Sequence, residues 1–161
     1  MCEARPVVVV DEVVELDVPW IPDPGVPSPV YWHNDQRFVV AYRTAPVAAG
    51  GPIAMLEFDT CLQARVGYPN DEAVPGHPLY DSGLRYGIFE VRQPSWLEQL
   101  KSQNAKAKPE AAHWWPIGAY RHFVITFHDN ALEVLAKEMR GVFLAQWPAM
   151  VSLETGPETQ A

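Results

Sequence analysis

Apolar residues alternate with polar ones along much of this chain, so its periodicity is that of strands more than of helices. Residues 30–32 (VYW) and 37–44 (RFVVAYRT) are β-rich runs on either side of His33-Asn34-Asp35-Gln36 and predict a hairpin. Residues 53–59 (IAMLEFD) and 86–92 (YGIFEVR) read as further strands, and 142–147 as the last one. In 121–136, Phe123, Ile125 and Phe127 share one strand face, with His122, Val124, Thr126 and His128 on the other. With Asp129-Asn130 as a two-residue turn, Phe127 opposes Leu132, Ile125 opposes Val134 and Phe123 opposes Ala136. That face is wholly apolar, as a specified register requires. The competing reading is a helix: Leu132, Leu135, Ala136 and Met139 have helical spacing, Asp129 is a cap and Gly141 a stop. The hairpin is preferred.

One helix stands out. Ser95-Trp96-Leu97-Glu98 fits a capping box, Trp96, Leu97 and Leu100 form its apolar face, and Pro109 ends it, giving a helix at about 95–106. Residues 45–52 and 62–83 are broken by proline and glycine and read as loops. The second is long enough to belong to the class of loops that often carry function. The fold class expected is α+β: an antiparallel sheet of about five to seven strands, one main helix, and long Pro/Gly-rich loops.

Composition changes this picture mainly at the N-terminus. The chain has 161 residues, the size of one domain, and its 48% apolar content is too high for a disordered chain. Six of its 16 prolines fall in the first 30 residues. So do Glu3, Asp11, Glu12, Glu15, Asp17 and Asp23 against Arg5 alone, so this segment carries most of the net charge of −8. The division expected is a Pro-rich acidic arm at 1–29, a single α+β domain at 30–150 and a flexible tail at 151–161. Val7–Val10, Val13, Val14, Leu16 and Val18 could supply an edge strand. The arm wraps its own domain in the preferred reading, and exchanges between copies of a homodimer in the other. Clustered positive charge is missing, which argues against nucleic acid as a partner. Cys2 and Cys61 read as free thiols. No apolar run approaches a signal peptide or a membrane span, so a cytoplasmic protein without membrane contact is expected.

The chemistry-bearing residues are few. G-x-G-x-x-G, the P-loop, G-x-S-x-G, H-E-x-x-H and C-x-x-C are all absent. His122 and His128 lie six apart on a strand, roughly 20 Å, too far to share a metal ion. No metal site and no cofactor are expected. His128 beside Asp129, with Glu133 diagonally across the hairpin, forms a minimal imidazole–carboxylate acid/base pair. His77 sits in a rigid turn between Pro75-Gly76 and Pro78, where it could act as a second acid/base group. His113-Trp114-Trp115, with Arg121 and His122 following, is the aromatic-rich candidate for ligand contact.

The series Pro75-Gly76-His77-Pro78-Leu79, Gly83-Leu84, Ser95-Trp96, His122 and Phe127-His128-Asp129 with Glu133 resembles a group of small bacterial proteins to which no activity is assigned. The resemblance covers about residues 30–143. It implies a single bacterial domain with a strand after Asp129, and it transfers no functional residue. The function expected is therefore non-enzymatic: a domain binding a protein partner or small ligand. The alternative is a small hydrolase or lyase that uses His128 and Glu133 with His77.

Overall fold

The computed structural model describes residues 11–25, 29–45, 52–111 and 117–148. Among them are nine strands: β1 (Glu12–Glu15), β2 (Val30–His33), β3 (Arg37–Arg43), β4 (Ile53–Asp59), β5 (Gln63–Gly67), β6 (Ile88–Arg92), β7 (Arg121–Thr126), β8 (Ala131–Ala136) and β9 (Glu138–Leu144). The single α-helix, α1, spans Ser95–Ala107. The strands form two antiparallel sheets, one ordered β1-β6-β7-β8-β5 and the other β2-β3-β4-β9. The α+β class and the dominance of antiparallel sheet are as expected. The strand count exceeds the expected five to seven because 63–67 is a strand rather than loop and because Glu12–Glu15 adds an edge strand; the last strand runs over 138–144 rather than 142–147.

The alternation that predicted strands also explains the core. Phe38, Val40 and Tyr42 on β3 and Ala54, Leu56 and Phe58 on β4 face Phe123, Ile125, Leu132 and Val134 of the other sheet. Phe58 and Phe123 are fully buried, with ring centroids 5.6 Å apart. Each such ring is worth roughly 1.5–3 kcal/mol of transfer free energy. The sheets share a corner. β4 runs on into β5, and β8 into β9, so that β4 pairs β9 in one sheet while β5 pairs β8 in the other. Residues 60–62 lie opposite 136–137 at the bend, which puts one extra residue on the β4–β5 side. This is a bulge, the device by which strands change sheets. Thr60 takes φ 51 there, and the Lys137 and Leu62 amides donate to Asp59 and Leu135 carbonyls across it.

The outer face of the five-stranded sheet carries a third layer. Val74, Leu79 and Leu84 pack on Phe89, Val91 and Val124, while Trp96 and Leu97 of α1 pack on Leu135. This cover includes a 3-10 helix, Asp71–Gly76, inside the segment expected to be irregular. Residues 11–25 of the N-terminal segment belong to the body. β1 pairs β6 as an edge strand, the Leu16 amide donates to the Ile88 carbonyl, and the Tyr42 hydroxyl donates to the Trp20 carbonyl at 2.6 Å. The segment thus crosses from one sheet to the other and leaves Trp20 packed against the shared core. Val7–Val10 and the tail from 151 lie outside the described residues. No helix among the described residues is long and apolar enough to cross a membrane.

Three local expectations change. The hairpin β7–β8 is present, but Ile125 pairs Leu132 and Phe123 pairs Val134, two residues away from the expected register. The Phe127 amide donates to the Asn130 carbonyl, so the turn is His128-Asp129 rather than Asp129-Asn130. A slip of two keeps every side chain on its face, and the apolar face survives. The capping box does not form. Pro94 precedes the helix, Glu98 turns to Lys101, and the Asp11 carboxylate accepts from both the Ser95 amide (2.6 Å) and the Ser95 hydroxyl (2.7 Å). A carboxylate from the N-terminal segment thereby supplies the anion that a helix start favours.

Candidate functional site

His122, Glu133 and His77 meet on the outer face of the five-stranded sheet, beneath its cover. Glu133 pairs with Val124 across β7–β8, and His122 is two positions back on the same face. The His122 ring nitrogen Nε2 lies 2.8 Å from Glu133 Oε2. His77 is delivered from above by the turn that ends the 3-10 helix, with Nε2 3.7 Å from Glu133 Oε1. Arg65, opposite Glu133 on β5, reaches Oε1 at 4.0 Å and lays its guanidinium 3.7 Å from the Trp96 ring centroid. The Trp96 ring in turn meets His122 edge-on, centroids 5.1 Å apart.

Burial alone would push the Glu133 carboxyl up. The imidazoles of His122 and His77 outweigh it and hold Glu133 at about 2, so it is ionised at neutral pH and only accepts hydrogen bonds. His122 must therefore present Nε2–H to it, while His77 Nε2 faces it from 3.7 Å, beyond direct hydrogen-bond reach. In His77 the other nitrogen, Nδ1, accepts the Leu79 amide at 3.1 Å, which fixes the neutral tautomer. Nδ1 of His122 is buried without a hydrogen-bond partner. The neutral tautomer leaves only a lone pair orphaned there, and the cation would leave an N–H. The cluster has the chemistry of an acid/base couple and the burial of a core contact: the side chains of His122, His77 and Glu133 are 3, 8 and 16% exposed.

His128 has a different partner. Its Nδ1 lies 2.9 Å from Asp71 Oδ2, its carbonyl accepts the Asp71 amide, and its Nε2 lies 3.9 Å from Asp129. The expected pairing of His128 with Glu133 does not occur, because the two-residue slip of register places His128 in the turn. His77 approaches Glu133, and His128 is joined to Asp71. Asp71 was not singled out in the sequence. The Asn70-Asp71 pair opening a short turn, with Asn70 accepting the Ala73 amide, is the capping signal that marks it.

Asp71 holds His128 above the usual imidazole range, mainly through their hydrogen bond, and His128 holds Asp71 below the usual carboxylate range by the same contact. The charged pair thus exists between the two titrations. Its contribution fades as pH rises through the His128 transition and again as pH falls through that of Asp71. In an NMR titration, Asp71→Asn is expected to bring the His128 midpoint down toward ~6.5, the free-imidazole value. An unchanged midpoint would mean that the carboxylate is not its partner.

Of the residues expected to contact a ligand, His113, Trp114 and Trp115 lie outside the described residues. His122 is sealed under Trp96 and is not offered to a ligand. Arg121 is accessible. Its guanidinium donates twice to Glu90, from Nε at 2.8 Å and from a terminal nitrogen, and this contact holds Glu90 below the usual carboxylate range. Arg121 lines a groove of about 450 Å³ formed by β6, the start of α1 and Tyr120. A second cleft, about 330 Å³, lies between Glu15–Ile21 of the N-terminal segment and Tyr86–Ile88. Neither is lined by His77, His122, His128 or Glu133. Among the described residues, no three His, Cys, Asp or Glu side chains are grouped to hold a metal ion. Comparison with known proteins gives no match: no family model, no curated protein and no solved structure.

Proposed function

We propose that this domain binds a small ligand without transforming it, in the groove between β6, α1 and Tyr120. The observation that carries this reading is the make-up of the groove. Tyr120, with the largely buried Val91 and Leu97 behind it, supplies the apolar wall, and Arg92, Lys101 and Arg121 bring three cations against Glu90 and Glu98. Its volume lies within the roughly 300–1,000 Å³ of small-molecule sites. Glu90 engages Arg121 and Glu98 engages Lys101. Among the described residues, Arg92 lies 4.0 Å from Glu12 and near enough to Glu90 to help lower its pKa, without a hydrogen bond to either, and is the groove cation most available to a ligand. An apolar body ending in a carboxylate is the class of ligand this arrangement suits. The imidazoles support a binding rather than a catalytic role at this groove, since none of His77, His122 and His128 lines it and the side chains of His77 and His122 are buried.

Gly118 gives the test. It lines the groove, and a Cβ built on it meets nothing within 4 Å, so a large side chain there fills the groove without disturbing the core. Titration with 4-phenylbutyrate, followed by amide NMR shifts, is expected to saturate in the native chain and to move Leu97 and Tyr120. Gly118→Trp and Arg92→Gln are each expected to weaken it at least tenfold, and the neutral amide of the same acid should bind less well. No saturable shift, or equal binding by the two variants, removes the groove as the site.

A further inference from the structure

The two sheets treat their outer faces differently. That of the five-stranded sheet is covered by the chain's own 3-10 helix and α1. Among the described residues, none of the three buried clusters reaches the outer face of the four-stranded sheet. Yet that face is apolar. The cross-strand row Val30–Ala41–Met55–Val142 runs through all four strands without a polar residue. Trp32 on one side and Leu144 on the other extend it into a diagonal stripe. Its ends are open to solvent, with Val30 39% and Val142 48% exposed, while Ala41 at its centre is shielded by its neighbours and 4% exposed. An antiparallel sheet with one solvated face alternates apolar inward and polar outward. β3, reading Phe-Val-Val-Ala-Tyr, is apolar on both sides, which is the pattern of a sheet covered on both.

The charges beside the stripe say what kind of cover fits. The outward positions of β3, β4 and β9 carry Arg37, Arg43 and Arg140 against Glu57, Asp59 and Glu138. They balance, on a chain whose net charge is −8. Arg37 lies 3.3 Å from Glu57 and Arg140 2.6 Å from Glu138, so both signs stand side by side. A second copy of an acidic chain is repelled over most of its surface and meets no net repulsion here. A two-fold contact must also be self-complementary, and apolar stripe on apolar stripe with mixed charge on mixed charge satisfies that.

We propose that the outer face of the four-stranded sheet is the contact of a homodimer, packed against the same face of a second copy. Residues 12–15 do not make this contact, because β1 is paired with β6 of its own chain. Sedimentation equilibrium of the full chain between about 1 and 300 µM tests it, since that range brackets the ~µM affinities of modest interfaces. A monomer–dimer equilibrium is expected, weakened at least tenfold by Val142→Lys or Val30→Lys. Both positions are exposed, so the chain should keep its fold, to be verified by an unchanged melting temperature. Ile21→Lys, equally exposed but away from this face, should leave the equilibrium unaltered. A monomer across the range overturns the proposal, as does a dimer indifferent to both stripe variants. A monomer whose melting temperature falls in Val142→Lys also overturns it, because the stripe is then covered within the chain.

Discussion

Glu133→Gln is expected to cost up to about 3 kcal/mol at pH 7 and to remove part of the chain's acid sensitivity. The carboxyl is held at about 2 in the folded chain against 4.5 for a free glutamate. At about 1.36 kcal/mol per unit, the difference sets the magnitude. The sign follows from the depressed folded value. The unfolded chain binds the proton more readily, so the contribution is fully present above about pH 4.5 and is lost as pH falls from there toward 2. Urea denaturation of the native chain between pH 2.5 and 7 should therefore show a steep loss of stability below pH 5. The Gln variant should be weaker at pH 7 and flatter in acid. If the two curves run parallel, Glu133 is not the group that titrates. The substitution keeps the shape and removes the charge, so it tests the electrostatic role and not the packing. It also reports on the cover, since His77 reaches the sheet at this carboxylate, and hydrogen exchange of Val74 and Leu79 should quicken in the variant.

Period-two patterning made the sheets legible, because a slip of two residues does not change which face a side chain takes. Phe123, Ile125, Leu132 and Val134 therefore belong to the core in either register. The acid/base pairing was more fragile. Moving the turn from Asp129-Asn130 to His128-Asp129 takes His128 out of the sheet and leaves Glu133 to His122, which was already on its face. The partners supplied by the 71–84 segment were not legible at all. Asp71 and His77 stand 57 and 56 residues from the groups they meet, and only the packing of Val74 and Leu79 on the sheet brings them there. β5 did carry a signal: Gln63 and Arg65 alternate with Ala64 and Val66. The surrounding glycines and prolines masked so short a run, and an edge strand of five residues is held by its neighbour more than by its own propensity. Asp11 as a helix cap was equally out of reach, since it lies 84 residues from Ser95.

Gly141→Val is the second substitution expected to have a large effect, and it concerns how the N-terminal segment is joined to the body. Gly141 lies on β9 opposite Leu56, facing into the sandwich. A Cβ there would stand 2.5 Å from Trp20 Cε2 and 2.6 Å from Leu56 Cδ2. Leu56 is fully buried between the sheets and has nowhere to go, so the indole has to move. Displacing it strains the Tyr42 hydroxyl bond to the Trp20 carbonyl and the neighbouring Ala45 amide bond to the Ile21 carbonyl. Overpacking of this kind costs about 1–3 kcal/mol, and valine's second and third carbons put it at the upper end. Trp20→Ala alone should also destabilise, because it leaves a cavity over Gly141. The two losses should not add. Once the indole is gone, the valine has room, so the double variant is expected to be more stable than the sum of the single effects predicts by at least about 1 kcal/mol, the coupling typical of residues in contact. Additive losses in chemical denaturation would mean that Trp20 does not occupy the space above Gly141 in solution. Coupling would show that a glycine near one end of the chain is there to seat a tryptophan from the other, which makes the proline-rich segment a structural part of the sandwich rather than a leader attached to it.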